Sequence, residues 1–527
     1  MFNNSTTSAM QRVILGCLLL ALVSSICLLE IKGISESREP PVSQLSTSYA
    51  SYEIYSSLPA LDLLDNNGSI SSADIIIKSS QAHNHGKKRR LLVAVKMDSA
   101  TIGSSWDTRN MLRVAYNDLQ RGRDLGVDVC FEFPKPVNQM EKLMFLMEQR
   151  VHGDVVVSDC LDARQYEFLA TVTSDMILDL VKIDAYLSTL NPANQFHLKH
   201  STASFSLIDG NHLSDRFSET RIDVIQKPQE ADSFTMDCEN LPTVPPKHVF
   251  LAFQCTPLQI WQGVSQADNT AITASTINAL LLPQTLPRKK LLLGVFSYYS
   301  RNSTASQRNL IRYIYNKVQK SQSMDIDVRF IVGVPSAPEG MKMLLFEQEI
   351  YKDLIVVDVG ENMDDGKSFH YFKQIEGMMK EGMIPVYEFV GKCDSDTYIN
   401  LRGLRGELDN IGSGQQFVGL DALKYGELRQ FMFGMFYMMS RDLLGRVAEL
   451  EIGAEELKLA EDLFMSKVVT GFGSDVEWVS LQFTNREGCI KNPAAPFTRQ
   501  DIATHWCKKS EEMWRSLLTF EKLYSSE

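Results

Sequence analysis

Two stretches of this chain, TRNMLRVAYNDLQ at 108–120 and QRNLIRYIYNKVQ at 307–319, share six of their thirteen residues at a spacing of 199. The shared residues are Arg109/Arg308, Asn110/Asn309, Arg113/Arg312, Tyr116/Tyr315, Asn117/Asn316 and Gln120/Gln319. A basic pair and an apolar run precede each stretch, RRLLVAVKMDSA from Arg89 and KKLLLGVFSYYS from Lys289. VDVCFEF then matches IDVRFIV, and MEQRVHGDVVVSD matches FEQEIYKDLIVVD. Unbroken apolar runs of this kind read as parallel strands covered on both faces. Each copy is therefore expected to run strand, helix, strand, helix, strand in an α/β fold with helices on both faces of the sheet.

The repeat is expected to end near Asp159. Residues 160–287 offer no counterpart to KCDSDTYIN in the second copy, and Asp237-Cys238-Glu239 lacks its long preceding apolar run. The expected organisation is a degenerate half-repeat at 87–160, an unassigned region at 161–287 and a complete domain at 288–527. The half-repeat should superpose on its counterpart and bind no metal. A net charge of −12 excludes broad affinity for nucleic acid. Nine cysteines without a C-x-x-C pair argue against a zinc ribbon and a small disulfide scaffold. Cys489 and Cys507 are close enough in sequence to bridge.

The N-terminus carries VILGCLLLALVSSICLL at 13–29, seventeen residues without a charge. That length is at the short end for a bilayer span. A cleaved signal peptide is the alternative, but CLLEIKG lacks a small-x-small cleavage site. The run is expected to be an uncleaved signal anchor behind a cytosolic tail at 1–12, and a short span suits a secretory-pathway membrane. Residues 30–86, rich in Ser, Asn and Pro, read as a stem. Asn67-Gly-Ser and Asn302-Ser-Thr would be glycosylation acceptors in a lumenal chain.

The chemistry is expected in VYEFVGKCDSDTYINL, where an apolar run ends in Asp394 and Asp396. Side chains at i and i+2 of a strand share a face. Two carboxylates so placed repel, and either a divalent cation or full solvation in a surface turn relieves that. An EF-hand is excluded, because its fifth and twelfth loop positions would be Tyr398 and Arg405. A Mg²⁺ or Mn²⁺ shared with a diphosphate needs only one or two protein carboxylates. The carboxyl edge of an open α/β sheet is where such ligands bind.

From about Lys289 onward the chain resembles the β-1,3-galactosyltransferase family (glycosyltransferase family 31), in the manner of divergent fungal or protist members. RNLIRYIY resembles its R-x-x-I-R-x-T-W element, and VRFIVG its strand V-x-F-x-x-G. Glu347, Tyr351 and Asp353 fit E-x-x-x-Y-x-D, and Lys367 takes the place of a family lysine. KCDSDTYIN resembles K-x-D-D-D-v-f-v-n, FGMFYMMS resembles s-G-x-g-Y-v-l-S, Glu461-Asp462 matches E-D-V, and HWCK matches the late H-x-x-K. Ser395 replaces the middle acid, and Ile314 and Tyr315 replace Thr-Trp.

The resemblance implies a GT-A, Rossmann-like domain and a single-pass type II Golgi membrane protein with its catalytic domain in the lumen. It implies inverting transfer of galactose or an N-acetylhexosamine from a UDP-sugar to a glycan on protein or lipid. Asp394, Asp396 and His505 would hold Mn²⁺ or Mg²⁺, and Asp462 would be the general base. Arg308, Arg312, Lys367, Asp394 and Ser395 would bind the UDP-sugar. The alternative is an inactive lumenal scaffold or chaperone built on the same fold.

Overall fold

The computed structural model describes residues 89–97, 106–120, 125, 127–157, 166–174, 177–178, 180–187, 197–199, 206–209, 235–237, 251–253 and 272–281. It also describes 288–525, apart from 301–303, 323, 338, 362–365, 423–429 and 482–496. The tail, anchor and stem expected at 1–86, the acceptor residues Asn67 and Asn302, and Cys489 lie outside the described residues. Among the described residues no helix is long and apolar enough to cross a membrane.

The α/β class expected from sequence is present twice. The first sheet begins with β1 (Arg89–Lys96), α1 (Trp106–Gln120), β2 (Val127–Phe133), α2 (Gln139–His152) and β3 (Val155–Val157). The chain continues through β4 (Tyr166–Thr173), β5 (Ile177–Leu178), which belongs to a separate small sheet, α3 (Leu180–Leu187), β6 (His197–Lys199) and β7 (Ser206–Asp209). Then come β8 (Thr235–Asp237), β9 (Leu251–Phe253) and a short helix α4 (Ala274–Asn278). The strand order is β3-β2-β1-β4-β7-β6.

The second copy runs β10 (Lys289–Phe296), α5 (Thr304–Gln322), β11 (Ile326–Val334), α6 (Gly340–Tyr351), β12 (Leu354–Gly360) and α7 (Lys367–Lys380). It goes on with β13 (Tyr387–Asp394), β14 (Tyr398–Ile399), α8 (Leu401–Asn410), β15 (Gln416–Ala422) and β16 (Phe431–Ser440). Last come α9 (Arg441–Ala448), α10 (Glu461–Thr470), β17 (Glu477–Ser480), β18 (Ala503–Thr504) and α11 (Ser510–Ser525). Its sheet order is β12-β11-β10-β13-β16-β15-β17. Strands β10 to β13 pair in parallel, while β16 is antiparallel to both β13 and β15.

The end of the repeat near Asp159 needs correcting. The first sheet continues beyond it, with β4 paired to β1 in parallel as β13 is to β10. The sequence signal was weak because only YEF, at Tyr166 and Tyr387, survives intact at the start of these strands. Those tyrosines do the same work: Tyr166 donates to Asp128 at 2.8 Å and Tyr387 to Asp327 at 2.6 Å.

The identical residues of the repeat form one buried ion-pair cluster, built twice. Arg308 Nε donates to Glu347 at 2.8 Å, and Arg109 Nε to Glu148 at 2.6 Å. Arg312 reaches Asp353 at 2.7 Å and Asn309 at 2.6 Å; Arg113 reaches Asp154 at 2.7 Å and Asn110 at 2.8 Å. The cluster ties the first helix of each copy to the second. Burial opposes ionisation of Glu347, but Arg308 and Arg312 outweigh it and hold the carboxyl down to about 2.

The copies pack against each other through these helices. Helix α1 lies on α5 and α6. Met111 and Val114 of α1 form an apolar cluster with Met343 and Phe346 of α6. His152 of α2 stacks on Phe346 with ring centroids 6.3 Å apart. Equivalent helices therefore meet, as at an isologous dimer interface, but within one chain.

Candidate functional site

The chain leaves β10 for β11 and β12 on one side and returns to β13 on the other. This makes the carboxyl ends of β10 and β13 the switch point of the sheet, where open α/β folds bind ligands. Phe296 and Asp394 face each other there, each the last residue of its strand. Thr397 N–H donates to the Asp394 carbonyl at 3.0 Å and closes the turn that presents Asp396. Gln307 of α5 donates to the Ser395 carbonyl at 3.1 Å and fixes the turn from outside.

A two-residue ladder supplies the third group. β14 pairs with β18 through Tyr398↔Thr504 and Ile399↔Ala503. Cys507 N–H donates to the Asp396 carbonyl at 2.8 Å. His505 Nε2 then lies 3.2 Å from Asp396 Oδ1 and 3.9 Å from Asp394 Oδ2. Burial works against ionised Asp396, but the hydrogen bond and charge of His505, with the charge of Lys508, together outweigh it and hold the carboxyl below its ordinary range. Cys507 is disulfide-bonded, which helps to secure this segment.

Ligand atoms of Asp394, Asp396 and His505 all lie within 4.8 Å of one another. Two carboxylates and an imidazole at that spacing fit a divalent cation of the Mn²⁺ type, with positions left over for a substrate's oxygens. The three residues singled out as metal ligands are thus brought together.

Lys392 was missed as a site residue. It precedes Asp394 by two and shares its face, which strand periodicity alone could have flagged. Its buried ammonium lies 2.7 Å from Asp394 and 3.5 Å from Glu461, and donates to the Gly434 carbonyl. Burial opposes its charge, yet Asp394 and Glu461 more than compensate, so its proton affinity is raised. Gly434 N–H in turn donates to Asp462 Oδ2 at 3.1 Å. A Cβ on Gly434 would approach that carboxylate to 3.1 Å, so glycine lets strand and acid come this close. Asp462 sits in the first turn of α10, with Oδ1 accepting from Leu463 N–H at 2.8 Å. Lys392 therefore links the proposed cation ligands to the proposed base.

Lys367 begins α7 and donates to the Ser297 carbonyl at 2.8 Å and to Glu361 at 2.6 Å. Burial lowers its proton affinity, with Glu361 opposing. Lys367 and Lys392 both lie against the Phe296 ring, at 5.3 and 5.2 Å. Arg308 and Arg312 are placed differently from expectation. They are buried in the Glu347–Asp353 cluster, and Arg308 also holds Ser297 Oγ and the Tyr298 carbonyl. Their part at the site is to shape the wall after β10. Ser395 contributes a carbonyl bond to that wall. Trp506, exposed and at φ 67°, stands next to His505.

Residues 306–420 match the family model described as Galactosyltransferase. This stretch of the second unit is similar to the galactosyltransferase family. The GT-A, Rossmann-like class expected from sequence agrees with that match and with the sheet order. The chain is also 28% identical to the beta-1,3-galactosyltransferase pvg3 of Schizosaccharomyces pombe. That alignment covers 30% of this chain and 55% of the relative, so the chain spans about half the relative's length. Among solved structures, a glycosyltransferase involved in glycosylation of the major capsid of PBCV-1 is 12% identical, over 44% of this chain and 100% of that one, with a TM-score of 0.27. HddC from Yersinia pseudotuberculosis is 13% identical over 36% and 90%, with a TM-score of 0.22. Both likenesses are slight, and neither assigns a residue of the second unit.

Proposed function

We propose that the second unit is an inverting hexosyltransferase. It moves galactose or an N-acetylhexosamine from a UDP-sugar to a hydroxyl of a protein- or lipid-linked glycan, in a β-1,3 linkage. The observation that carries this is the Asp394–Asp396–His505 cluster at the sheet's switch point, joined through Lys392 to Asp462.

The acceptor oxygen attacks the anomeric carbon as the bond from that carbon to the UDP phosphate breaks, and the electron pair leaves with UDP. Asp462 accepts the acceptor proton, the task of a positioned carboxylate general base. A divalent cation on Asp394, Asp396 and His505 would neutralise the charge that develops on the diphosphate. Lys392 holds Asp394 in one orientation and keeps the strand of the ligands in register with the base. Lys367 adds a second positive charge at the end of β10, where the diphosphate lies. Trp506 offers an exposed ring on which a sugar's apolar face can rest.

The 13–29 run anchors the chain in the Golgi membrane with residues 30–527 in the lumen. The test is transfer and UDP-sugar hydrolysis by the full chain across a panel of UDP-hexoses, with Mn²⁺ and with EDTA. Activity that needs Mn²⁺ supports the reading. Activity unchanged in EDTA contradicts the cation role, and no turnover with any donor contradicts the enzyme.

A further inference from the structure

We propose that the chain is a tandem duplication of a complete transferase module, and that the N-terminal copy has lost its cation site by replacement. The inference rests on the reading of Asp394, Asp396 and His505 as cation ligands.

Ladder registers align the copies well past the half-repeat. Leu91 pairs with Phe168 and Leu291 with Phe389, so β4 and β13 are equivalent residue by residue. β7 lies antiparallel to β4 with Asp209 opposite Phe168, and β16 lies antiparallel to β13 with Ser440 opposite Phe389. The next strands agree as well: Leu198 pairs with Leu207 as Val418 pairs with Met438. Helices α3 and α8 follow at the same offset and bury Leu180, Ile183 and Leu187 where α8 buries Leu401, Leu404 and Leu408. β9 pairs with β5 as β18 does with β14: Ala252 faces Ile177, and Thr504 faces Tyr398.

These registers assign the ligand positions. Asp394 closes β13 opposite Phe296; its equivalent, Thr173, closes β4 opposite Lys96. His505 follows Thr504, and its equivalent, Phe253, follows Ala252. Of the three positions only Asp175, the counterpart of Asp396 in sequence, keeps an acid. Lys392 corresponds to Thr171, so the lysine and its carboxylate partner were lost together. An exposed lysine, Lys96, now stands at the strand end where the second copy has Phe296. One acid among the three positions is too few for a cation site, since divalent ions of this class need several oxygen or nitrogen ligands. The connection between the equivalent strands is shorter as well: 41 residues separate β7 from β9, against 62 between β16 and β18, where α10 carries Asp462. What the first copy retains is the helical face of α1 and α2, on which α5 and α6 pack.

The test counts Mn²⁺ bound per full-length chain, by equilibrium dialysis and electron paramagnetic resonance with Mn²⁺ alone. The parent should bind one ion, and Asp394→Asn should bind none. Thr173→Asp combined with Phe253→His should restore a second site: two ions in the parent background and one in the Asp394→Asn background. An ion still bound by Asp394→Asn would show that the N-terminal copy is not empty. A Thr173→Asp/Phe253→His chain that melts like the parent and gains no ion would overturn the equivalence of positions. Should the double variant melt early, Thr173→Asp alone decides: it should take up Mn²⁺ weakly where the parent's first copy takes up none. A parent that binds no ion contradicts the proposed function instead, whatever the added residues do.

Discussion

Lys392 Nζ stands 2.7 Å from Asp394 Oδ1, with both groups on the same face of one strand. The ammonium occupies one side of a carboxylate whose other oxygen faces His505. A cation held by Asp394 would therefore share that carboxylate with the lysine, whose further contacts to Glu461 and Gly434 reach toward Asp462. Replacing Lys392 by Met keeps the length and removes the charge. Transfer should fall by about a hundredfold, roughly 2–3 kcal/mol of barrier, while Mn²⁺ binds as tightly as in the parent or more tightly. Isothermal calorimetry beside steady-state kinetics checks this. Equal loss of both would mean that Lys392 only keeps the fold.

Arg308 and Arg312 should behave as structural residues. Glu347→Gln leaves two buried guanidinium groups short of a negative partner, and breaking such a cluster costs about 3–5 kcal/mol. Thermal melting should drop sharply, while the KM for the UDP-sugar, measured well below the melting range, stays near the parent's. A raised donor KM with unchanged melting would return these residues to donor binding.

Much of this was legible in the sequence, and what escaped has physical causes. The repeat exposed the strand–helix–strand–helix–strand order, because buried strands and ion-pair helices tolerate few substitutes. Asp394 and Asp396 could be singled out as candidate ligands from their i, i+2 spacing at a strand end, and His505 only from the family resemblance. The second half of the first copy escaped notice because, once its ligands were gone, only burial constrained it, and many apolar residues satisfy burial. Arg308 and Arg312 were misassigned because a charged residue in a motif looks alike whether it meets substrate or a buried glutamate. Lys392 could have been flagged by its i, i+2 spacing to Asp394, but its contacts to Glu461 and Gly434, distant in sequence, were not legible.

The contact between the copies should be sensitive to acid. His152 is half-buried near Arg113 and Arg109; its desolvation chiefly, and those charges next, hold its proton affinity well below that of a free imidazole, about 6.5. A folded-state value below the unfolded one means that stability is full above 6.5 and is lost as pH falls, since only the unfolded chain takes up the proton. Between pH 7.5 and about pH 5.5 this one group should remove roughly 1.4 kcal/mol. Urea unfolding at the two pH values should show that much less loss for His152→Leu than for the parent. An identical loss in both would exclude His152 as the cause.

Helices α2 and α6 end alike, at Gly153 with φ 71° and at Lys352 with φ 55°. Left-handed backbone suits glycine and strains a residue with a Cβ. Lys352→Gly should therefore raise stability by about 0.5–1 kcal/mol, the relief of strain outweighing the added freedom of the unfolded chain. A thermal melt of the two proteins measures it, and a lower midpoint for the variant would refute it.

The central claim is that Asp394 and Asp396 leave their strand together to hold a cation against the diphosphate of a sugar donor. Calorimetric titration of Mn²⁺ and UDP into Asp394→Asn tests this most directly, with Ser395→Ala and Asp462→Asn beside it. Asp394→Asn should lose Mn²⁺-dependent UDP binding when measured well below its melting range; its melting point should fall somewhat, because buried Lys392 loses its nearest carboxylate. Ser395→Ala should bind like the parent, and Asp462→Asn should bind normally yet transfer no sugar, since a base acts on the acceptor. Parent-like binding of Mn²⁺ and UDP by Asp394→Asn would contradict the account at its centre.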